Sequence, residues 1–460
     1  MPTVNVKWGP EKYSIDVDQQ QPPIVLKTKL FELTGVVQER QKVLIKGKVL
    51  DDNDWKGLTL SEGAMLMMMG SVVSIPVVTS PEDTAMQVDV TADGIILPAG
   101  FKNLGNTCYL NATLQALRSV PELCTAVSSY VPNPNDSSHG NHFTLGTQTL
   151  FRQMENDKKT NGVTVPVNLL NLFHKFCPQM ATLTPQGGLE QQDANEAFCE
   201  ISKFLFSKLT IPGTGTTKFS KLFEGRMIWT MKNVESESEA PSVGSEEFLQ
   251  LSCYLNADVK YLQSGLKAKM KEHLEKMSEE MGRNCQYEKN TVIDRLPAYL
   301  SVQLVRFFYK EKGKVNAKIL KDVKFSMHLD VIEMCSSELQ EKLKPARIAF
   351  KEEDDAMVHR KKEDLEGLTY KKHPFSFQDD AGSNNSGMYE LQAVITHKGR
   401  YANAGHYVGW VKIEGGKWVM CDDEHVEPVT EEQVLKLSGG GDWHCAYVLV
   451  YGPRILSTPI

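Results

Sequence analysis

The residues most suited to chemistry surround Cys108, where a polar loop meets a helical pattern. The segment Gly100–Leu117 joins turn-forming residues to leucines spaced as on one face of a helix. Thr107 is a good N-cap and places the thiol in the first turn, where the helix dipole favours thiolate. The loop amides and the Asn103 side chain are suited to hold an oxyanion. The alternative to a catalytic nucleophile is a chemically inert cysteine that only fills space. The choice between the two depends on whether a suitable base lies elsewhere in the chain.

The histidine best placed to act as that base is His406, which follows a loop of small residues and opens a strand. A Glu-Gly-Gly turn and a returning strand bring Asp422 and Asp423 back beside it in an antiparallel hairpin. A carboxylate there would accept the imidazole N–H and stabilise the imidazolium. The register leaves open which aspartate it is. By itself such a pair is more often a surface ion pair, whereas with Cys108 it indicates a thiol hydrolase.

A second polar cluster, residues 190–198, precedes another helical pattern. Amides and carboxylates at a helix start are usually caps. They also suit a groove that takes hydrogen bonds from the backbone of an extended peptide. Capping is the interpretation that the residues alone favour, and the groove stays open as the alternative.

Length and composition limit the class of protein. A chain of 460 residues with 41% hydrophobic residues predicts two or more domains with sizeable cores. The net charge of -7 argues against a general nucleic-acid binder. We find no membrane-spanning stretch and no signal-peptide layout. Nine cysteines without a Cys-x-x-Cys pair indicate free thiols in the cytoplasm and nucleus, and no metal.

Residues 1–75 form a predicted small domain. Two alternating strands, a helix after Pro22-Pro23 and further strands resemble the β-grasp of ubiquitin, and residues 41–51 match the corresponding ubiquitin stretch closely. The domain continues into Gly-Ser-Val-Val rather than a diglycine end, which predicts a built-in module. The resemblance places Leu44 at ubiquitin's central recognition isoleucine, with Met68 as a neighbour, so we expect a partner-binding patch. The alternative for Leu44 is an ordinary core position.

The remaining chain is predicted to form one large domain. Residues 76–98, rich in Pro, Ser, Thr and acidic side chains, predict a flexible linker. The domain itself spans residues 99–453, with helical patterns first and strands later. A charged insertion at about 336–386 is expected to be part helical and part disordered. Residues 454–460 are expected to form a tail.

Three blocks together, residues 100–117, 191–198 and 405–423, resemble the Cys box, the acidic glutamine-rich box and the His box of the ubiquitin-specific proteases. This family consists of cysteine deubiquitinases. The likeness spans about residues 100 to 453, apart from the insertion. With the N-terminal domain, it is closest to the proteasome-associated member. It implies an α+β fold, in which a ubiquitin-like β-grasp precedes a papain-like catalytic domain with thumb, palm and fingers.

The resemblance also implies roles for single residues. Cys108 is assigned as the nucleophile and His406 as the general base. Asp422 is assigned as the carboxylate that orients His406, and Asn103 as the oxyanion donor. Contact with the extended C-terminal tail of ubiquitin is assigned to Gln191, Asp193, Glu196 and Tyr407. The loop 401–405 matches one with which the family member blocks its own cleft.

The implied partners are ubiquitin, polyubiquitinated proteins and the 26S proteasome, the last through the N-terminal domain. We expect no cofactor, nucleic acid or membrane partner, and no metal, since the fingers lack Cys-x-x-Cys pairs.

Three other functions compete with this interpretation. They are a catalytically weak ubiquitin-binding scaffold or proteasome regulator, a papain-like protease for another modifier, and a structural adaptor. All three catalytic residue types are present, which argues against a scaffold. About 300 residues separate Cys108 from His406, more than the papain interval of about 130–150 residues, which favours the larger deubiquitinase architecture.

Overall fold

The computed structural model describes residues 2–69 and 96–459, apart from short gaps. The gaps fall at residues 9–10, 20, 35–40, 46–47, 52–53, 56–57, 59, 62, 159–161, 311–314, 360–368, 402–403 and 442. The chain divides into two compact units, Met1–Ala85 and Met86–Ile460. Most of the predicted linker lies outside the described residues, so the predicted domain boundaries stay predictions. Within these ranges no helix is both long and apolar enough to cross a bilayer.

The N-terminal unit is a β-grasp, as its sequence predicts. A five-stranded sheet has the order β2-β1-β5-β3-β4, in which β1 and β5 are parallel. Its core is made of aliphatic side chains from the strands and the helix, among them Val4, Leu30, Val43 and Leu66. The elements are β1 (Thr3–Trp8), β2 (Glu11–Asp16), α1 (Ile24–Thr34), β3 (Lys42–Ile45), β4 (Lys48–Val49) and β5 (Met65–Met69).

Strand β5 corrects one predicted binding residue. Successive side chains of a strand face opposite sides of the sheet, and here Met68 lies in the core. A patch on the outer face therefore cannot include it. Its neighbour Met67 is half-exposed and pairs directly with the half-buried Leu44 of β3. The expected patch thus keeps Leu44 and gains Met67.

Helices come first in the catalytic unit, where a thumb was predicted. They are α2 (Cys108–Arg118), α3 (Pro121–Ser128), α4 (His139–Lys158), α5 (Val167–Phe176) and α6 (Ala194–Phe206). Ten successive residues of α2, from Cys108 to Leu117, are buried. The leucines on one face of α2 predict burial of that face alone. All faces are buried because α2 is packed between the other helices and a sheet. A short parallel pair, β6 (Gly100–Phe101) and β7 (Val163–Thr164), flanks it.

That sheet is the palm, and most of its strands are antiparallel. Its main path has the order β10-β13-β22-β18-β19-β20-β21. The strands are β10 (Leu251–Tyr254), β13 (Leu300–Val305), β14 (Phe307–Lys310), β15 (Val315–Lys318), β16 (His328–Asp330), β18 (Met388–Tyr401), β19 (Ala404–Lys412), β20 (Trp418–Asp422), β21 (His425–Val429) and β22 (Cys445–Pro453). Two short helices, α7 (Leu262–Lys269) and α9 (Glu431–Leu435), accompany the sheet.

A separate four-stranded sheet forms the fingers, in the order β11-β12-β8-β9. Its strands are β8 (Gly225–Asn233), β9 (Ser242–Phe248), β11 (Lys271–Ser278) and β12 (Arg283–Arg295). Near the β8–β9 turn, the Glu239 carboxylate accepts hydrogen bonds from Tyr287 Oη at 2.6 Å, Asn233 Nδ2 at 2.8 Å and Ser278 Oγ at 2.7 Å. These bonds lower the pKa of Glu239. One carboxylate thus links β8, β11 and β12.

The charged insertion has more structure than expected. Residues Ser337–His359 form a long helix, α8, and residues 360–368 lie outside the described part. Strand β17 (Tyr370–Lys372) then pairs with β23 (Ser457–Pro459) in the predicted tail. An ion pair of 2.6 Å between Arg347 and Asp330 ties the helix to the palm. The insertion is therefore joined to the chain end by backbone pairing and to the palm by an ion pair.

Candidate active site

Helix α2 begins at Cys108, as the loop-to-helix pattern predicts, and the Cys108 side chain is only 2% exposed. Gly105 and Asn106 adopt positive φ values of 98° and 53°, which turn the chain into the helix. The capping bond expected of Thr107 is absent, because its hydroxyl accepts the Leu104 N–H instead. Thr107 therefore stabilises the loop, and its side chain accepts no hydrogen bond from the N–H groups of the first helical turn.

His406 lies on β19 beside the start of α2, and its imidazole is bonded to Asp422. The distance from His406 Nε2 to Asp422 Oδ1 is 2.5 Å, whereas Asp423 Oδ2 lies 4.0 Å away. The structure therefore selects Asp422, the choice that the hairpin register left open. The hydrogen bond with Asp422, followed by that with Cys108, raises the pKa of His406 to about 10 against the opposing effect of burial. The same bond lowers the pKa of Asp422.

The sulfur, the imidazole and the carboxylate therefore meet at one place. His406 Nε2 is hydrogen-bonded to Asp422, the nearby Cys108 thiol helps to raise the pKa of His406, and the next residue, Tyr407, points its N–H at Cys108 Sγ from 3.5 Å. Since Nε2 serves Asp422, Nδ1 is the ring nitrogen left for the sulfur. This arrangement lets the imidazole take a proton from the thiol and return it to a leaving group, while the carboxylate fixes the tautomer.

Asp423 holds the predicted oxyanion residue in place. The Asn103 amide donates from Nδ2 to Asp423 Oδ2 at 2.7 Å, while its Oδ1 accepts the Gly105 N–H at 2.9 Å. Asn111 donates to the other carboxylate oxygen at 2.8 Å. One Nδ2 hydrogen of Asn103 remains for a ligand. The sequence indicates Asp423 only as a possible partner of His406. The two consecutive aspartates draw attention to this position, but nothing in the sequence indicates that Asp423 would orient Asn103.

The carboxylate of Asp193 is used within the protein. Its Oδ1 caps α6 by accepting the N–H groups of Asn195 at 2.8 Å and Glu196 at 2.9 Å. Its Oδ2 accepts the Tyr447 hydroxyl at 2.7 Å. The structure thus shows the helix capping that the residues alone favoured. Contact of Asp193 with a substrate tail stays a prediction, as it does for the exposed Glu196.

Gln191 joins the thumb to the loop before His406. Its Oε1 accepts the Gly405 N–H at 2.8 Å. Its Nε2 is buried and has no hydrogen-bond partner among the described residues. The side chain that was expected to hold a tail is therefore occupied by the protein's own loop. Residues 402–403 of the predicted blocking loop lie outside the described residues.

Tyr407 is placed differently from the expectation. Adjacent residues of β19 face opposite sides, so Tyr407 points into the interior and is 1% exposed. Its ring packs against the buried His397 with 4.8 Å between centroids, and its hydroxyl lacks a described partner. Burial, reinforced by nearby Lys318, lowers the pKa of His397 to about 3, so this ring stays neutral. In this conformation the Tyr407 side chain cannot pack beside a substrate tail.

One group of three potential metal ligands occurs in the described part of the chain: His406, Asp422 and Asp423, whose ligand atoms lie within 4.8 Å of one another. Each is already hydrogen-bonded, since His406 serves Asp422 and the Asp423 oxygens serve two asparagines. The geometry is thus explained without an ion. The prediction that the protein uses no metal remains a prediction.

The fold and the site together define a cysteine hydrolase with a helical thumb, a sheet palm and β-rich fingers. The profile of the family "Ubiquitin carboxyl-terminal hydrolase" matches residues 99–451. The chain belongs to this family, and it is accordingly a thiol-dependent ubiquitinyl hydrolase.

Relatives match over nearly the whole chain. Ubiquitin carboxyl-terminal hydrolase 14 of Caenorhabditis elegans is 44% identical over 99% of this chain and 94% of that protein. Ubiquitin carboxyl-terminal hydrolase 6 of Arabidopsis thaliana is 37% identical over 99% and 100%. Ubiquitin carboxyl-terminal hydrolase 6 of Schizosaccharomyces pombe is 33% identical over 97% and 98%.

A solved structure supports the fold. A chain of the SAGA Ubp8/Sgf11/Sus1/Sgf73 DUB module bound to ubiquitin aldehyde aligns with a TM-score of 0.54 and 22% identity. The alignment covers 77% of this chain and 69% of that chain.

Replacing Asp422 by Asn is expected to change the pH dependence of hydrolysis. The raised pKa of His406, about 10, keeps the imidazolium present until the pH rises through that value. The hydrogen bond with Asp422 is the main cause of this raised pKa. Its loss should move the alkaline fall in kcat/KM toward the ordinary histidine pKa of about 6.5. The measurement is a pH profile of ubiquitin–fluorophore hydrolysis. Glu414→Gln, an exposed change on the same hairpin, should leave the profile unaltered. An unmoved alkaline limb in folded Asp422→Asn would contradict the assignment.

Asn103→Ala is expected to lower kcat by about 10²–10³, the usual loss for one oxyanion donor, with little change in KM. Asp423→Ala should lower kcat less, because the carboxylate acts by orienting Asn103. The losses should not add: in an Asn103→Ala background, Asp423→Ala should cost much less than in the wild type. Steady-state kinetics of the two single variants and the double variant test this. Full additivity would show that Asp423 acts independently of Asn103.

Proposed function

We propose that this ubiquitinyl hydrolase cleaves isopeptide and peptide bonds at the C-terminal glycine of ubiquitin and releases ubiquitin from conjugates at the proteasome. The observation that carries the proposal is that Cys108, His406 and Asp422 meet at one place within a family domain, where His406 is bonded to Asp422 and the Tyr407 N–H is directed at Cys108 Sγ. We expect it to act in the cytoplasm and nucleus, where both the conjugates and the proteasome are present.

The chemistry follows from the contacts at the site. The thiol proton of Cys108 passes to His406, whose raised pKa favours the imidazolium, and Cys108 Sγ then forms a bond to the glycine carbonyl carbon. The carbonyl oxygen becomes an oxyanion, which the free Nδ2 hydrogen of Asn103 stabilises. As the C–N bond breaks, His406 gives the proton to the departing lysine amine. His406 then activates water, which hydrolyses the thioester and restores the thiol.

Selectivity for ubiquitin is proposed to come from a narrow path for its tail. Paired glycines have no Cβ, so they fit where other residues would clash, and ordinary peptides are rejected. The Gln191–Gly405 hydrogen bond spans the place where we propose that the tail lies. It must break before a conjugate enters. If docking on the proteasome releases the loop that contains Gly405, the enzyme becomes active only where it is docked.

The N-terminal unit is proposed to dock on the 26S proteasome. Its outer face presents the half-buried Leu44 beside the half-exposed Met67, with the fold that its ubiquitin-like sequence predicts. Docking raises the effective concentration of the enzyme near bound conjugates. In this proposal the outer face of the N-terminal unit, and not the catalytic domain, brings the enzyme to the proteasome.

The competing function is a ubiquitin-binding scaffold with little catalysis. The test is hydrolysis of a ubiquitin–fluorophore conjugate by the wild type and by Cys108→Ala, with and without proteasomes. We expect turnover that depends entirely on Cys108, and rapid labelling of that thiol by ubiquitin with a C-terminal electrophile. A free peptide with the same terminal residues is the matched control and should be a poor substrate. Tight ubiquitin binding without thiol-dependent turnover would instead support the scaffold.

For docking, deletion of residues 1–75 should abolish pulldown with proteasomes and leave a folded catalytic domain. Met67→Asp should weaken binding about tenfold or more, equivalent to about 1.4 kcal/mol, because it places a charge in the apolar patch. Leu33→Asp is the matched control, because Leu33 is as exposed as Met67 but lies on helix α1, which packs against the opposite side of the sheet. Proteasome association that survives the deletion would end the docking proposal.

A further inference from the structure

Three methionine sulfurs are displayed together on the outer face of the N-terminal sheet. Met65, Met67 and Met69 are 54%, 49% and 53% exposed, while the alternating Leu66 and Met68 are 0% and 2% exposed. Alternate residues of a strand are about 6.6–6.8 Å apart, so the three side chains form one continuous row. β5 is the central strand of its sheet, so this row occupies the middle of the face.

Apolar and basic neighbours define the surroundings of this row. Leu44 of β3 pairs with Met67 and in turn with Val49, which is 52% exposed. On either side, the exposed Lys7 pairs with Met67 and the exposed Lys42 pairs with Met69. The methionine row is thus the apolar centre of the face, and lysines lie at its margin. Exposed apolar surface of this kind is typical of a contact surface, and unbranched methionines adapt to the shape of a partner.

We propose that the methionine row, Met65, Met67 and Met69, is a site of reversible sulfoxidation that switches this face between an apolar and a polar state. The oxidant is hydrogen peroxide. Its O–O bond breaks, one oxygen forms a bond to the thioether sulfur, and the other leaves as water; sulfur loses two electrons and peroxide gains them. A reductase returns the thioether by oxidising two thiols to a disulfide, and the oxygen again leaves as water.

The switch acts on the surface and spares the core. A sulfoxide is a polar hydrogen-bond acceptor, which an apolar partner surface would have to desolvate. The side chains that stabilise the sheet from within, Leu66 and Met68, are shielded from the oxidant. Oxidation should therefore weaken contacts made by this face without unfolding the unit. That this contact is with the proteasome rests on the proposed function.

Peptide mapping tests the site itself. The full-length protein, carrying Cys108→Ala to remove the reactive thiol, is treated with hydrogen peroxide, and the uptake of oxygen by each methionine is followed by mass spectrometry. We expect Met65, Met67 and Met69 to react at least about tenfold faster than Met68, their buried neighbour on the same strand. The thermal melting of the N-terminal unit should stay unchanged. Equal rates at Met68 and at the three exposed positions would overturn the proposal.

Binding to purified 26S proteasomes tests the consequence. We expect peroxide to weaken binding about tenfold and methionine sulfoxide reductase to restore it. A triple variant, Met65→Leu, Met67→Leu and Met69→Leu, keeps similar side-chain volume but cannot take oxygen, so it should bind and resist peroxide. Binding that survives oxidation of all three sulfurs, or equal loss in the leucine variant, would overturn the switch. If the untreated protein does not bind, the docking proposal fails, and peptide mapping still decides whether the site exists.

Discussion

The active site depends on the hydrogen bonds made by Asp423. Its backbone carbonyl accepts the Phe101 N–H at 2.8 Å, and its two carboxylate oxygens accept the side-chain amides of Asn103 and Asn111. These contacts tie the segment that carries the nucleophile to the turn that presents Asp422. Gly100 shows how close this contact is, because a Cβ there would lie 2.5 Å from the Glu424 carbonyl oxygen. This junction adds hydrogen bonds to the packing of α2 against β19, and it fixes the loop before Cys108 relative to the turn after Asp422.

The region around Gly405 has the opposite character, because several of its polar atoms are unpaired. His397 has no described partner for either ring nitrogen, and neither have the Tyr407 hydroxyl and Gln191 Nε2. Each such buried group costs about 1–3 kcal/mol. Apolar and aromatic packing, such as the 5.2 Å contact between the Phe307 and His397 rings, must therefore stabilise this arrangement. A loop placed over unsatisfied donors and acceptors is easier to displace than one that satisfies them.

The N-terminal unit shows how a binding surface arises from the same alternation that builds a core. On β5, residues 66 and 68 complete the interior, so residues 65, 67 and 69 are left outside. Being methionines, the outer residues make the face both apolar and oxidisable. The fold therefore determines which sulfurs are exposed, and the choice of methionine over leucine makes these exposed side chains oxidisable.

The sequence by itself determined the elements, the family and the identity of the chemistry: a thiol at a helix start, a histidine at a strand start and aspartates on the returning strand. These are local patterns, which helical and strand periodicity reveal. The tertiary structure decided which aspartate meets His406, that Asp423 instead orients Asn103, that Tyr407 faces inward and that Met67 replaces Met68 on the surface. Such choices depend on packing between segments far apart in the chain and on strand facing, where a shift of one residue reverses every side chain.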